Sequence, residues 1–248
     1  MATGFEATER TVLKLTGADC AQFLQDLVTN DIHRDGLVYA ALLTPQGKYL
    51  FDFFVFQDGE AWFLDVLTDR AQALAQRLSM YKLRADVTIE ASDMRVFQVW
   101  DTDLGFEDPR HVELGRRVYD AVVPDLDPFD GWEALRVAHV VPETGRELIA
   151  DDSYILECGF ERLNGVDFKK GCYVGQEVTA RMKHKTELRK GLTLVELDGP
   201  AEVGSKIVAG DKDAGVLHSV SGRQGIAYLR FDRAKGEMMA GSVPVRLG

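Results

Sequence analysis

From Gly191 onward the chain is cut into short apolar runs by closely spaced turn signals, a pattern that admits few folds. The runs 192–197, 205–209, 215–220, 225–230 and 243–247 are separated by Gly199-Pro200, Gly210-Asp211, Ser221-Gly222 and Gly236. Short strands at this spacing read as a small β-barrel or sandwich. Residues 183–248 are therefore expected to form a C-terminal barrel behind a core of residues 1–182.

Upstream the pattern is mixed. Residues 11–15 read as a strand, and Thr16-Gly17-Ala18-Asp19 resembles a helix start with Thr16 as its cap. Phe23, Leu24, Leu27 and Val28 follow at helical spacing until Thr29-Asn30-Asp31 stops the helix. Strands are expected at 37–43, 48–57 and 61–67, joined by Thr44-Pro45-Gln46-Gly47 and by Asp58-Gly59. Ala71, Leu74, Ala75 and Leu78 share one face of a helix that starts at Thr68 or Asp69. Residues 81–89 alternate like a strand, and 94–100 form another. The stretch 101–130 is a polar connection with one short strand near 117–123. Residues 132–141 are apolar around Arg136, and 148–162 is expected to be a buried crossing.

Asp52 interrupts the apolar run 49–56. A carboxylate there is costly to bury without a partner, so it is either turned outward or a site acid. Tyr81 and Arg84 suit contact with an aromatic ring or a carboxylate, and equally suit tying a helix end to a sheet.

One stretch differs from the rest in chemistry: Lys169-Lys170-Gly171-Cys172-Tyr173-Val174-Gly175-Gln176-Glu177, continuing to Thr179-Ala180-Arg181. From Lys169 to Lys190 there are seven Lys/Arg and two Glu, a balance of +5, whereas the whole chain is 29 − 40 = −11. Positive charge concentrated against that background points to an anionic partner. Gly171 and Gly175 permit positive φ or close backbone approach. Cys172 lies between lysines, a field that favours its thiolate. Gln176 and Glu177 add hydrogen-bonding groups. The same residues also fit a tight turn around an inert cysteine.

Other classes are excluded. Cys20, Cys158 and Cys172 are far apart and odd in number, which rules out a disulfide framework and predicts a reducing, cytoplasmic setting. With no CxxC pair, neither a self-contained zinc site nor an iron–sulfur cage is expected. His33, His111, His139, His184 and His218 show no ligand spacing, and no Walker-A, Rossmann, HExxH or GxSxG motif occurs. The acidic balance argues against nucleic-acid binding. No stretch approaches the ~20 apolar residues of a membrane span, and the start carries Glu6 and Glu9 rather than a signal-peptide core.

Lys170 to Glu177 matches the Lys-Gly-Cys-Tyr-x-Gly-Gln-Glu signature of the YgfZ family, the folate-binding, glycine-cleavage-T-like proteins of iron–sulfur cluster assembly. Thr179-Ala180-Arg181 resembles the continuation in its mitochondrial and alphaproteobacterial branch. The resemblance extends in order through Gly17 to Asp31, Gly47 to Asp52, Tyr81 to Arg84 and the terminal barrel. It implies an α+β, T-protein-like cloverleaf: mixed sheet and helix subdomains, two of them intertwined in residues 1–182, around a central folate cavity. Tetrahydrofolate, or a one-carbon derivative, is the implied cofactor. Asn30, Asp52, Tyr81, Arg84, Arg136, Tyr173, Gln176, Glu177 and Arg181 are the implied contacts. Cys172 is the implied reactive thiol, poised by Lys170 and able to ligate a cluster transiently with an iron–sulfur carrier or client protein.

The implied role is maturation of [4Fe–4S] proteins, with an indirect effect on tRNA modification. A folate-dependent aminomethyltransferase is the alternative, for which Asp52 is the available acid. Phe51 stands where the T-protein carries the first acid of a pair, a departure that weakens this alternative. A docking adaptor without any ligand is the third reading.

Overall fold

The computed structural model describes residues 2–122, 125–184 and 187–248. Val123, at the end of one expected strand, and Lys185 and Thr186 of the basic stretch lie outside them. In chain order, β1 (Thr3–Glu6) and β2 (Arg10–Thr16) precede α1 (Cys20–Gln25). β3 (Val38–Leu43), β4 (Tyr49–Asp58) and β5 (Ala61–Leu67) form the expected meander, followed by α2 (Thr68–Lys82). β6 (Thr88–Ala91), β7 (Arg95–Trp100), β8 (Phe106–Glu107), β9 (Arg116–Asp120) and β10 (Asp127–Pro128) come before α3 (Trp132–Ala138) and α4 (Gln176–His184). Two compact units result. Met1–Phe129 joins Glu161–Gln176 in the first, and Asp130–Phe160 joins Glu177–Gly248 in the second.

Two five-stranded sheets build the first unit, in the orders β3-β4-β5-β2-β6 and β10-β1-β7-β9-β8. β4 is apolar almost throughout because both of its faces are covered, the condition under which strands lose their alternation. Phe53 and Val55 face a core shared with Phe23 and Leu24 of α1 and Leu74 and Leu78 of α2. On the other face, Phe54 lies beneath Arg117 at 4.0 Å and Arg110 at 4.8 Å, and Phe56 stacks on Tyr119 with 4.3 Å between centroids. Asp65 of β5 is fully buried on this side. Its carboxylate accepts Arg10 Nε at 2.6 Å, Arg117 Nη1 at 2.7 Å and the Tyr119 hydroxyl at 2.9 Å.

Two local expectations are corrected. Thr16 is the last residue of β2 and does not cap α1, while the Asp19 carboxylate accepts the Asp86 N–H at 2.7 Å. Tyr81 and Lys82 close α2 rather than open a strand, Leu83 leaves the helix at φ +46°, and the strand begins only at Thr88.

The second unit contains a closed barrel of β11 (Lys190–Leu197), β12 (Lys206–Ala209), β13 (Lys212–Ser221), β14 (Gln224–Arg230), β15 (Met238–Ala240) and β16 (Val243–Leu247). Closure in the order β11-β14-β13-β12-β15-β16 removes every free edge. Val195, Leu197, Ile207, Leu217, Leu229 and Val245 fill its interior. Five of the six strands are foreshadowed in the sequence, and Met238–Ala240 is the addition. Residues 148–162 form turns, with Leu148, Ile155, Leu156 and Phe160 buried.

Candidate functional site

The signature begins as a loop without helix or strand and is held by its flanks. Upstream, the Asp167 carboxylate accepts the N–H groups of Lys169 at 2.6 Å and Lys170 at 3.1 Å and pairs with Arg34. Burial alone would raise that carboxyl; the Lys169 N–H, Arg34 and the Lys170 N–H outweigh it and hold it below its ordinary value. Thr29 and Asn30 stitch the preceding segment to β3. Thr29 donates its hydroxyl to Gly165 O at 2.7 Å and accepts the Ala41 N–H at 2.8 Å. Asn30 donates to Tyr39 O at 2.8 Å and Asn164 O at 2.6 Å.

Lys170 turns inward. Its ammonium donates to three carbonyls, one in the last residue of α1 and two just beyond it: Gln25 at 2.7 Å, Val28 at 2.5 Å and Asn30 at 3.1 Å. It thus caps a helix end whose carbonyls lack intrahelical partners. Burial pulls its pKa down to about 8, against the carboxylates of Asp31, Asp26 and Asp167, so the clamp is charged at neutral pH. The same ammonium lies 5.3 Å from the centre of the buried Tyr173 ring. Replacing Lys170 with methionine keeps the stem but leaves those carbonyls without their donor. Hydrogen exchange at 28–31 and 167–173 is expected to rise at least about tenfold, the equivalent of one lost charge-assisted bond. Unchanged protection would refute the clamp.

Gly175 pins the downstream side. Its φ is +84°, and a Cβ there would lie 2.6 Å from Thr44 O and 3.0 Å from Leu43 Cβ, against the turn that enters β4. Gly171 differs: its φ is not positive and its Cβ would meet nothing within 4 Å. Gly175→Ala is therefore expected to cost about 2–4 kcal/mol and Gly171→Ala under about 1 kcal/mol. Urea unfolding of the two variants measures the contrast; equal losses would contradict the anchoring.

Between half-buried Lys170 and buried Tyr173, Cys172 is left exposed with a free thiol. Cys20 and Cys158 are both buried, and burial pushes the Cys158 thiol up to about 12. Gln176 donates to Gly171 O at 3.4 Å and opens α4. Glu177 and Arg181 form a surface pair at 2.7 Å on that helix, with acid in the first turn and base in the last, as the helix dipole prefers.

The other nominated residues take different places. Asp52 is buried on β4 and does not face outward; its oxygens accept the Tyr49 hydroxyl at 2.7 Å and the Tyr39 hydroxyl at 3.0 Å. Burial first, then Asp52, raises the Tyr39 phenol well above its ordinary value. Asp52 pairs across the sheet with Ala41, the residue that Thr29 holds, so it belongs to the frame beneath the loop. Tyr81 packs on the helix-side core, and Arg84 is exposed just before β6, at the sheet edge opposite β3. Arg136 is fully buried in the second unit, bonded to Glu133 at 2.8 Å, Ser219 at 2.6 Å and Glu147 at 3.3 Å. Asp167, Thr29, Tyr39 and Tyr49 were not anticipated; the Asp-x-Lys-Lys order, which suits an Asx turn, was the available signal for Asp167.

Residues 189–248 match the family model described as CAF17, C-terminal beta-barrel domain. The mitochondrial iron–sulfur cluster assembly factor IBA57 of Mus musculus is 29% identical over 95% of this chain and 80% of its own length. The human protein of that name is 28% identical over 94% and 79%. The homolog from Pyricularia oryzae reaches 32% identity over 75% of this chain, which spans 56% of that protein's length. In architecture, the glycine cleavage system aminomethyltransferase T from Bartonella henselae superposes with a TM-score of 0.69 over 98% of this chain and 84% of its own, at 10% identity. The fold is thus the expected T-protein-like one, ending in a closed six-stranded barrel. The cytoplasmic setting expected from cysteine usage is corrected: these relatives are mitochondrial, and a reducing compartment is not by itself the cytosol.

Proposed function

We infer that this chain is an IBA57-like iron–sulfur cluster assembly factor, with the T-protein-like fold as its frame and the Cys172 loop as its working element. The observation that carries the reading is the contrast among the three thiols. Two are sealed in cores, and the third is exposed on a loop anchored on both sides. Thiolates are the ligands iron–sulfur clusters favour, and one thiolate cannot hold a cluster alone. Cys172 therefore supplies one ligand to a cluster whose others come from a carrier or client protein, and the cluster is cargo. In this reading residues 1–182 present the loop and the barrel completes the protein. An effect on tRNA modification would follow indirectly, through radical iron–sulfur enzymes left without clusters.

Tetrahydrofolate is the finer part of the reading and rests on the resemblance and the fold. Three of the nine residues nominated for it already have protein partners. Asn30 donates its amide to two carbonyls, Asp52 accepts two tyrosine hydroxyls, and Arg136 lies within carboxylates of the second unit. No chemical step is assigned to folate, and the engaged state of Asp52 disfavours aminomethyl transfer.

The test is spectroscopic. Titrating this protein into a cluster-loaded carrier is expected to shift the sulfur-to-iron charge-transfer bands in the visible, and Cys172→Ser is expected to alter that shift. A spectrum indifferent to both would reject shared ligation.

A further inference from the structure

The first unit holds a cavity of about 440 Å³ that the reading above does not use. That volume is in the range of small-molecule sites. Both sheets of the unit line it, through Phe56 on β4, Phe106 on β8 and Tyr119 on β9. Its inner wall is aromatic. Phe56 stacks on Tyr119 at 4.3 Å and on Phe63 at 5.0 Å, and Phe106 tilts against Phe56 at 5.5 Å. The Tyr119 hydroxyl is fixed on Asp65 at 2.9 Å, so this ring keeps its place.

The rim is apolar and firmly held. Leu104 is 60% exposed and Val122 72%. A leucine exposed on a loose loop would be ordinary. Here Arg116 donates to the carbonyls of Leu104 at 3.0 Å and Gly105 at 2.8 Å and pairs with Glu107 at 3.1 Å. Gly105 has φ +72°, and a Cβ there would lie 2.2 Å from Arg117 O. These contacts fix the turn against β9 with Leu104 in solvent, a preorganisation that lowers the cost of binding. The charge of the cavity has one sign. Asp58 and Asp120 line it and are exposed, and among the described residues no Lys, Arg or His does so. Among the described residues, neither acid takes part in an ion pair. Asp120 accepts the Val122 N–H at 2.9 Å. Aromatic rings beside carboxylates that lack a counter-charge favour a positive group on an apolar body.

We propose that this cavity binds a small organic cation, an ammonium or guanidinium group carried on a flat apolar body. The body packs against Phe106 and Tyr119 beside Leu104 and Val122, and Asp58 and Asp120 hold the cationic head. The proposal does not rest on cluster chemistry and stands or falls independently of it.

One indole ring carried in three charge states tests it. Tryptamine, neutral tryptophol and anionic indole-3-propionate are titrated at low salt into the whole protein labelled with nitrogen-15, and amide shifts are followed by NMR. Tryptamine is expected to give saturable shifts centred on 56–58, 104–106 and 118–122. It is expected to bind at least about threefold more tightly than tryptophol, with indole-3-propionate weakest. Asp58→Asn combined with Asp120→Asn is expected to weaken tryptamine about fivefold and to leave tryptophol within about twofold. Asparagine can still accept the Val122 N–H, so the double variant removes charge and keeps the rim. No saturable shifts from tryptamine, equal binding of the three probes, or tryptamine binding indifferent to the double substitution overturns the proposal.

Discussion

Replacing Asp65 with asparagine is expected to destabilise the protein by about 3–5 kcal/mol, because it leaves the buried Arg117 and the largely buried Arg10 guanidinium without their counter-charge. Asp65 has no exposed surface, and its carboxylate holds Arg10 and Arg117 together with the Tyr119 hydroxyl. The second acid of the cluster, Asp108, binds Arg110 at 2.7 Å and reaches Arg117 only at 3.5 Å, too weakly to replace Asp65. Typical domains hold only about 5–15 kcal/mol in reserve, so the loss is severe. Urea unfolding measures it, and a loss under about 1 kcal/mol would mean that the arginines find other partners.

The same cluster predicts a pH dependence. Burial would raise the Asp65 carboxyl, but the charges of Arg10 and Arg117 and the bonds from Arg10 and Tyr119 prevail and set it below its ordinary value of 3.8. Asp108 is lowered likewise, with Arg110 outweighing burial. A carboxyl lowered on folding contributes stability that is fully present above its unfolded value and lost as pH falls through the folded one. Stability is therefore expected to drop below about pH 4, and less steeply in Asp65→Asn, which has lost that titrating group.

Cys172→Ala is expected to have the largest functional effect and almost no structural one. The side chain is exposed, and the loop is anchored by Lys170, Tyr173 and Gly175 rather than by the thiol. Exposed substitutions of this kind stay within about 0.5 kcal/mol, so unfolding should match the parent protein. Loss of the cluster-dependent spectral change with unchanged stability would place the effect in the sulfur. Substantial destabilisation would instead make Cys172 part of the loop's scaffold.

Much of the architecture was legible because each element follows a local rule. The barrel strands stand between turn signals, and β5 has the expected bounds because Asp58-Gly59 and Thr68 fix both ends. β15 was missed because Met238-Met239-Ala240 is too short to show a period. Residues 81–89 were misread because an alternating pattern and the last turn of an amphipathic helix look alike until Leu83 takes a positive φ. At the site, the eight residues from Lys170 to Glu177 located the loop, but partner identities belong to tertiary structure. Nothing in the sequence says that Lys170 turns toward carbonyls at and beyond the end of α1, that Asp52 lies between two tyrosines, or that Arg136 sits among glutamates. Of the two signature glycines, only Gly175 uses the conformational freedom that sequence reasoning assigned to both.

The most direct test is made in cells that lack their own relative of this protein. The activity of a [4Fe–4S] enzyme is measured with this chain supplied, beside its Cys172→Ala form at equal abundance. Recovery with the parent chain and none with the variant is the predicted result. Equal recovery with both would contradict a role for the exposed thiol, and recovery with neither, both being folded, would contradict the assembly reading itself.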